Sequence, residues 1–164
     1  MSAVLAQRDV LHVTKVVLYD SRYREQVLEL AREVIAESAS HRDMPIDEDK
    51  LIEQLEFSLT SPDTIYVRLA VRGGEVLGGL FGVISPVYFS QEKAARDMAW
   101  VVKKSSRGTF AAVRLVQDFE AWGLARGVKK FFLGQLTGIN MEMTTALYEK
   151  LGYRVVGMNA VKES

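Results

Sequence analysis

The apolar residues follow two different periods in the first third of the chain, and these periods separate a strand from two helices. Residues 10–18 are rich in Val and Leu, which favours a strand. After Ser21, and again after Asp47, apolar residues recur at every third or fourth position, as they do on one face of a helix. The acidic residues 47–49 suit the N-terminus of the second helix. The pattern therefore predicts a β-α-α beginning.

The middle of the chain has the pattern of a hairpin. Residues 65–71 and 76–84 are largely apolar, and the turn 72–75 between them contains two adjacent glycines. The second strand contains three further glycines, of which Gly82 is the last, and glycine within a strand marks a bulge or a close approach of neighbouring atoms. Residues 85–95 are expected to form a loop.

The second half of the chain alternates between the two classes of element. It predicts a strand, a turn, a helix, a strand, a helix and a last strand over residues 97–103, 104–108, 109–127, 128–135, 141–151 and 153–161. The complete order is β-α-α-β-β-β-α-β-α-β. Because strands and helices are mixed throughout, we expect an α/β or α+β fold around one mixed sheet.

Length, charge and hydropathy limit the classes of function. The chain has 164 residues and is expected to form a single domain, 1–164, with its own core. Its net charge is zero, so charge gives no indication of nucleic acid or an anionic membrane as a partner. Charged residues interrupt the first twenty positions, and no apolar run reaches membrane-spanning length. We therefore expect a cytoplasmic protein that binds neither nucleic acid nor a membrane.

The content of cysteine and histidine narrows the chemistry further. The chain has no Cys, which excludes a Cys nucleophile, disulfides and thiolate metal sites. Its two histidines, His12 and His41, lie far apart in the sequence, which argues against a histidine-based zinc site. The expectation is a protein without a metal.

The turn at residues 104–108 is a candidate anion site because a helix follows it directly. The first N–H groups of a helix lack partners within the helix, and the helix dipole favours negative charge at that end. Lys103, Lys104 and Arg107 add positive charge at the same place. The alternative on this stretch alone is an ordinary strand–helix turn that binds nothing.

Two motifs resemble those of the GNAT superfamily of N-acetyltransferases. The first spans residues 101–112, where Gly108 matches the first glycine of the family's acetyl-CoA signature: Gln or Arg, two residues, Gly, one residue, then Gly or Ala. Ser105 and Phe110 depart from that signature. The second motif, residues 145–153, is much closer to the closing helix and turn of the family. The order of elements agrees over nearly the whole chain, and the nearest likeness is to small single-domain phage and bacterial members.

The resemblance implies a mostly antiparallel central sheet of six to seven strands, flanked by four helices. It also implies acetyl-CoA as co-substrate, with N–H groups near Val101 or Val102 facing the oxyanion and residues 107–112 holding the pyrophosphate. The residues implied in acetyl-CoA binding are Val101, Val102, Lys103, Arg107, Gly108, Thr109, Phe110, Ala111, Ala112 and Asn140. For Asn140, capping of the following helix is the alternative.

The resemblance also implies catalytic roles for two residues. Tyr148 stands where the family carries a tyrosine that protonates the departing thiolate. A tyrosine that packs at the border of core and cleft is the alternative. Asp97 is the candidate general base, with Glu92 as a second candidate, and the alternative for Asp97 is an aspartate at the surface end of a strand.

The acceptor side is the least defined by the sequence. His41, Tyr88 and Phe89 are the candidate substrate contacts, and His41 could also act as a base. The alternative for His41 is a solvated histidine in a polar loop.

Two functions remain open at this stage. The first is transfer of an acetyl group directly from acetyl-CoA to a primary amine of a small molecule or a protein. The second is a GNAT-fold module that has lost catalysis and serves in binding or structure, which the departures at Ser105 and Phe110 favour. The last strand, if exposed, could pair across a homodimer.

Overall fold

The structure is a computed structural model that describes residues 13–162. The described chain contains five strands and four helices. In chain order they are β1 (Lys15–Leu18), α1 (Arg24–Glu37), α2 (Glu48–Ser58), β2 (Ile65–Arg72), β3 (Glu75–Pro86), β4 (Lys93–Val102), α3 (Ala111–Leu124), β5 (Lys130–Phe132) and α4 (Met141–Lys150). Short 3₁₀ turns at Ser21–Tyr23 and Lys104–Ser106 precede α1 and follow β4.

The five strands form one mixed sheet that is covered on both faces. The strands lie in the order β1-β2-β3-β4-β5, antiparallel except for the parallel pair β4–β5. In β2, Val67 and Leu69 pack in a core with α1 and α2, whereas Tyr66 and Ala70 pack in a second core with α3. Alternate residues of a strand point to opposite faces, so a strand that is apolar at nearly every position suits a sheet between two layers of helices. The mixed α/β fold and the four helices are confirmed.

The prediction of six to seven strands is wrong, because the sheet of the described chain has five. The predicted strand 153–161 does not pair with the sheet, and Val155, Val156 and Met158 are 52%, 72% and 95% exposed. Because these side chains bury so little apolar area, pairing of this segment as a strand would gain little free energy. The edge strand β5 has three residues instead of the predicted eight, so it offers a short edge to any further strand.

Two other boundaries differ from the sequence prediction. The loop predicted at residues 85–95 is shorter than expected, because β4 already begins at Lys93. Ala94 and Ala95 belong to this strand and are completely buried. Of the predicted first strand, the described part begins at Lys15, and residues 10–12 lie outside the described residues. No described helix is both long and apolar enough to cross a bilayer.

Glycine in β3 allows α3 to lie close to the sheet. A Cβ atom on Gly82 would lie 2.5 Å from the ring of Phe119, a completely buried residue of α3. Opposite Gly82, the register of β4 shifts so that Asp97 pairs with Gly82 and Ala99 with Phe81. One residue of β4, Met98, is therefore an additional residue in the ladder, as in a β-bulge. The close approach that the sequence offered as a reason for these glycines is confirmed at Gly82.

The sheet opens into a fork between β4 and β5. The two strands pair only from Ala94 to Arg96 on one side and from Lys130 to Phe132 on the other. Beyond this point the strands separate, so β4 from Asp97 to Val102 has a neighbour on its β3 side alone. The fork leaves a space beside the second half of β4, and the start of α3 lies at its open end.

Candidate active site

A cleft of about 460 Å³ occupies the fork between β4, the start of α3 and α4. Nine of the residues predicted from the sequence line it, namely Val101, Val102, Arg107, Gly108, Thr109, Phe110, Ala112, Asn140 and Tyr148. Three further candidates for catalysis or cofactor binding lie outside its lining. Asp97 lies at the fork, the Lys103 side chain lies 3.1 Å from the Glu75 carboxylate, and Ala111 is completely buried in the core.

The turn before α3 presents a group of free backbone donors to this cleft. Within the described chain, the N–H groups of Gly108, Phe110, Ala112 and Val113 donate to no acceptor, whereas that of Arg114 bonds to the Phe110 carbonyl at 2.9 Å. Gly108 has a φ of +80°, which glycine adopts without strain, and no heavy atom lies within 4 Å of where its Cβ would be. Successive N–H groups in such a turn, at a helix N-terminus, form a concave anion site.

Phe110 does not close this site, although it replaces the small residue of the family signature. Its side chain is 74% exposed at the edge of the cleft. The residue has helical φ and ψ angles of −71° and −3° and directly precedes α3. Its N–H group therefore stays among the free donors.

Arg107 contributes less charge to the cleft than its position in the sequence suggests. Its guanidinium makes two hydrogen bonds to the Glu37 carboxylate, at 2.7 and 2.6 Å, and a third, at 3.3 Å, to the carbonyl of Val102. These bonds raise the pKa of Arg107 and lower that of Glu37. Helix α1 thus holds the turn by a charge pair, and Arg107 is already neutralised.

The backbone of β4 turns polar groups towards the cleft at alternate residues. The backbone N–H group of Lys103 points towards β3 and donates to the carbonyl of Leu77 at 2.8 Å. In an antiparallel pair the groups of successive residues point to opposite sides, so Val101 also faces β3. The N–H groups of Trp100 and Val102 therefore face the cleft, and of the two oxyanion candidates named from the sequence, Val102 has the suitable direction.

Tyr148 reaches the bottom of the cleft from α4. Its side chain is 8% exposed, and its hydroxyl is buried without a hydrogen-bond partner in the described structure. The ring lies 5.8 Å from the ring of Trp100 and 6.3 Å from that of Tyr153, measured between centroids. Burial raises the pKa of the Tyr148 hydroxyl to about 12, and the charge of Asp97 adds to the rise. The hydroxyl is thus protonated at neutral pH and free to donate.

Asp97 lies at the point where β4 and β5 separate. Its carboxylate accepts a hydrogen bond of 2.8 Å from the N–H group of Gly134, just after β5. Burial raises the pKa of this carboxyl to about 6, and the bond from Gly134 opposes the rise. Asp97 is therefore not the surface strand-end aspartate that the sequence left as an alternative. It lines neither cavity described here, so its contact with an acceptor amine remains a prediction.

Asn140 precedes α4 in a left-handed conformation, with φ of +45°. Its side chain makes no capping hydrogen bond, so the capping role that the sequence offered as an alternative is wrong. An extended backbone and an accepting side chain are needed for such a cap, and the left-handed backbone does not provide this geometry. The side chain lines the cleft instead.

A second groove, of about 1150 Å³, adjoins the cleft. Most of its lining comes from three segments: residues 39–41 and Met44 of the α1–α2 loop, residues 130–136 in and after β5, and residues 153–161. It shares Gly134, Gln135 and Tyr148 with the cleft. Tyr148 therefore lies at the boundary between the two spaces.

Only one of the three predicted substrate contacts lies in this second groove. His41 lines it, and its Nδ1 atom is within hydrogen-bonding distance of Ser38 and Ser40, at 3.0 and 2.9 Å. Tyr88 and Phe89 are not brought to either space. They are 102% and 87% exposed in the turn between β3 and β4, at the end of β4 opposite to the open end of the fork. Glu92, the second candidate for the base, lies in the same exposed turn.

Sequence reasoning missed three contributors to the site. Trp100 lines the cleft with a buried indole N–H that has no partner in the described structure. Glu37 holds Arg107 from a position seventy residues away, and Val113 supplies a free N–H group inside the helix. Alternate residues of a strand face the same side, so Val102 could have indicated Trp100 as a second residue at the cleft. Nothing in the sequence indicates the partner of Arg107. No group of three or more metal-ligating side chains lies together in residues 13–162.

Comparisons with known proteins find one family model and solved structures of similar fold. The family model described as Acetyltransferase (GNAT) family matches residues 25–153. Glucosamine-6-phosphate N-acetyltransferase from Arabidopsis thaliana is similar with a TM-score of 0.73 and 16% identity, covering 93% of this chain and 99% of that one. A putative acetyl transferase from Pyrococcus furiosus has a TM-score of 0.66 and 24% identity, covering 93% and 100%.

A further similar structure is the aminoglycoside antibiotic 6'-N-acetyltransferase AAC(6')-IG from Acinetobacter haemolyticus. Its TM-score is 0.68 at 13% identity, with coverage of 92% of this chain and 97% of that one. No curated protein matches the sequence. At these identities the solved structures show a shared fold, and the family model covers most of the chain. The chain therefore belongs to the acetyltransferase (GNAT) family.

Proposed function

We propose that the protein is an acetyl-CoA-dependent N-acetyltransferase, which moves an acetyl group directly to a primary amine of a small molecule or a protein. One observation carries the proposal. One cleft is lined both by the free N–H groups at the start of α3 and by Tyr148, whose hydroxyl has no partner in the described structure. Similar structures named for acetylation of glucosamine-6-phosphate and of aminoglycosides support an amine as acceptor.

The residues present fit the cofactor. Gly108, Phe110, Ala112 and Val113 would hold the diphosphate through their N–H groups, and the free edge of β4 at Trp100 would hold the amide-containing arm. The volume of the cleft is within the range of small-molecule sites. When bound, acetyl-CoA supplies an acetyl group activated as a thioester.

Tyr148 and the β4 backbone provide the groups that the transfer needs. The Tyr148 hydroxyl keeps its proton at neutral pH and can donate it to the departing sulfur. The N–H groups of Trp100 and Val102, which face the cleft, can donate to an oxygen that becomes negative during attack. No covalent enzyme intermediate is required, in agreement with a chain that has no Cys.

An inactive GNAT-fold module is the competing function, and binding of acetyl-CoA separates the two. Ligand at about 100 times its dissociation constant should stabilise the fold by about 2.7 kcal/mol, which a thermal melt detects. Coenzyme A release on addition of amines then tests catalysis. A melting temperature that does not change at millimolar acetyl-CoA would favour the inactive module.

A pair of glycine variants makes the test specific to the free N–H groups. Gly108→Ala and Gly127→Ala introduce the same kind of strain, because the two φ angles are +80° and +77° and neither new Cβ meets an atom within 4 Å. Gly127 follows α3 at its other end, away from the cleft. We expect both variants to melt at lower temperature, but only Gly108→Ala to lose most of the shift with acetyl-CoA.

A further inference from the structure

The charges on the second groove are unusual for a site that would receive a cation. Its charged side chains are Glu120, Lys130 and Arg154, besides the titratable His41. The Glu120 carboxylate accepts a hydrogen bond of 2.7 Å from the Tyr153 hydroxyl. Lys130 and Arg154 are exposed and belong to no ion pair of the described residues. Among the described residues that line the groove, Glu120 therefore offers the one carboxylate, which already accepts a bond from Tyr153, and two cations stand against it without an ion pair.

The walls of the groove are apolar. Eight large apolar side chains that line it are between 41% and 95% exposed, among them Met44, Phe132, Leu136, Met141 and Met158. Covering such side chains with an apolar ligand gains about 25 cal/mol per Å² of buried area. Each ammonium group that is desolvated there without a carboxylate partner is costly. The groove thus favours an apolar body and disfavours several positive charges.

The hydrogen bonds around His41 leave one acceptor for the N–H group of a ligand in the groove. The Ser38 hydroxyl donates to the carbonyl of Thr137, and the Ser40 hydroxyl donates to the carbonyl of Leu136. A hydroxyl has a single hydrogen, so when both of these bonds are made, the two serine oxygens share the hydrogen of the imidazole at Nδ1 of His41. On this arrangement we assign the proton to Nδ1 and a lone pair to Nε2 of a ring that lines the groove.

From these observations, and on the basis of the proposed function, we infer that the acceptor is a small primary monoamine with an apolar aryl or alkyl body, whose N–H group is received by His41 Nε2. As the new N–C bond forms and the C–S bond breaks, His41 Nε2 takes the proton that the amine loses. Tyr148 gives its hydroxyl proton to the sulfur. Exchange of protons with water then restores both residues, so the products are the amide and the free thiol.

The first test compares acceptors at saturating acetyl-CoA. The panel contains 2-phenylethylamine and hexylamine as apolar monoamines, and spermidine and kanamycin as polycations. Coenzyme A release is followed with a thiol reagent, which the protein itself does not consume because it has no Cys. We expect kcat/KM to be at least about tenfold higher for the apolar monoamines, a difference of about 1.4 kcal/mol.

A second test changes the charge of the groove at one exposed position. Met158→Glu places a carboxylate on the wall, and Met158→Gln is the control of the same size without charge. Met158 is 95% exposed, so neither change should disturb the core. The ratio of kcat/KM for spermidine to that for 2-phenylethylamine should be about fivefold or more higher in the Glu variant than in the Gln variant, which loses the same apolar surface without gaining a charge.

A third test addresses His41 itself. In His41→Asn the side-chain NH₂ can still donate to Ser38 and Ser40, but the Nε2 atom is lost. We expect kcat/KM for 2-phenylethylamine to fall at least about tenfold, with the melting shift caused by acetyl-CoA unchanged. Unchanged kcat/KM in this variant would refute the role of His41.

The outcomes distinguish this inference from the proposed function. Without a melting shift by acetyl-CoA, the proposed function fails and the inference fails with it. If acetyl-CoA binds but the polycations are acetylated as well as or better than the apolar monoamines, only the acceptor class is wrong. If acetyl-CoA binds and no apolar monoamine is acetylated, the acceptor class is likewise overturned, while the cofactor assignment stands.

Discussion

The pair formed by Arg107 and Glu37 gives the sharpest prediction, because two opposite roles of Arg107 have opposite consequences. In the structure the pair holds the turn before α3, and the guanidinium is used by Glu37. Glu37→Gln removes the negative charge and keeps the shape of the side chain. If the pair positions the free N–H groups, this change should weaken acetyl-CoA binding. If Arg107 is instead a phosphate ligand that Glu37 withholds, the same change should strengthen it.

The size of the effect follows from the geometry of the pair. The two hydrogen bonds are 2.7 and 2.6 Å long, and the side chains of Arg107 and Glu37 are 18% and 29% exposed. Hydrogen bonds to charged groups contribute about 1.5–3 kcal/mol and fully exposed ion pairs about 0–1 kcal/mol, so we expect a loss of about 1–2 kcal/mol. For a chain of this size the melting temperature should fall by about 2–8 °C.

The pH dependence of this loss has a defined sign. The Arg107 guanidinium lowers the pKa of Glu37 in the folded state. The contribution of the pair is therefore fully present above the usual pKa of a glutamate and disappears as the pH falls through the lowered value. Wild type and Glu37→Gln should differ in melting temperature at neutral pH and converge in strong acid.

Isothermal calorimetry with acetyl-CoA and steady-state kinetics form the assay. We expect the dissociation constant and KM for acetyl-CoA to rise about 5–10-fold, with kcat within about twofold, since the change affects binding before chemistry. Glu48→Gln is the matched control, because Glu48 also pairs with an arginine of α1, Arg32, at 2.6 Å, and neither residue lines the cleft. Tighter binding of acetyl-CoA by Glu37→Gln, or equal effects of the two variants, would refute the positioning role.

Three further predictions follow from single contacts. Tyr148→Phe should lower kcat at least about tenfold, with the dissociation constant of acetyl-CoA within about twofold, and an unchanged kcat would remove Tyr148 from the mechanism. The raised pKa of Asp97, about 6, means that its ionisation destabilises the fold as the pH rises. Asp97→Asn should therefore stabilise the protein by about 2 kcal/mol at neutral pH. In thermal melts, the difference between this variant and the wild type should shrink as the pH falls from about 6 towards 4. A difference that does not change with pH would contradict this prediction. Gly82→Ala should destabilise the protein by about 1–3 kcal/mol, because the new Cβ would lie 2.5 Å from the Phe119 ring. Gly157→Ala is the control, because its Cβ has no heavy atom within 4 Å. Equal melting temperatures of the two variants would refute the steric argument.

The free N–H groups that we propose for the cofactor lie where the sequence predicted them, because this part of the cleft is nearly contiguous in sequence. Residues 101–112 form a strand end, a turn and a helix start, and local rules are sufficient to place free N–H groups there. The sequence did not show that Arg107 is neutralised, since its partner Glu37 lies on another element. For the same reason it did not show that Lys103 lies beside Glu75.

The acceptor half could not be predicted in the same way, because three separate segments build the second groove. Tyr88 and Phe89 were predicted as substrate contacts because they are aromatic residues of an expected loop. A turn between strands can expose aromatic rings without any ligand, as it does here. His41 lies in the groove, and its contact with a substrate stays a prediction. Its surroundings include the carbonyls of Leu136 and Thr137, which bond to Ser40 and Ser38 and which only the tertiary structure brings close.

The short β5 explains both the wrong strand count and the presence of a cleft. If β5 continued beyond Phe132 as predicted, its backbone would occupy the space beside Trp100 and Val102. Because it ends there, β4 keeps polar groups without strand partners, and such groups cost free energy unless something else pairs with them. The same is true of the free N–H groups before α3 and of the Tyr148 hydroxyl. So many unpaired groups in one cleft are tolerable only where water or a ligand with matching polar groups satisfies them, and the proposed ligand, acetyl-CoA, has a diphosphate and an amide-containing arm of the matching kinds.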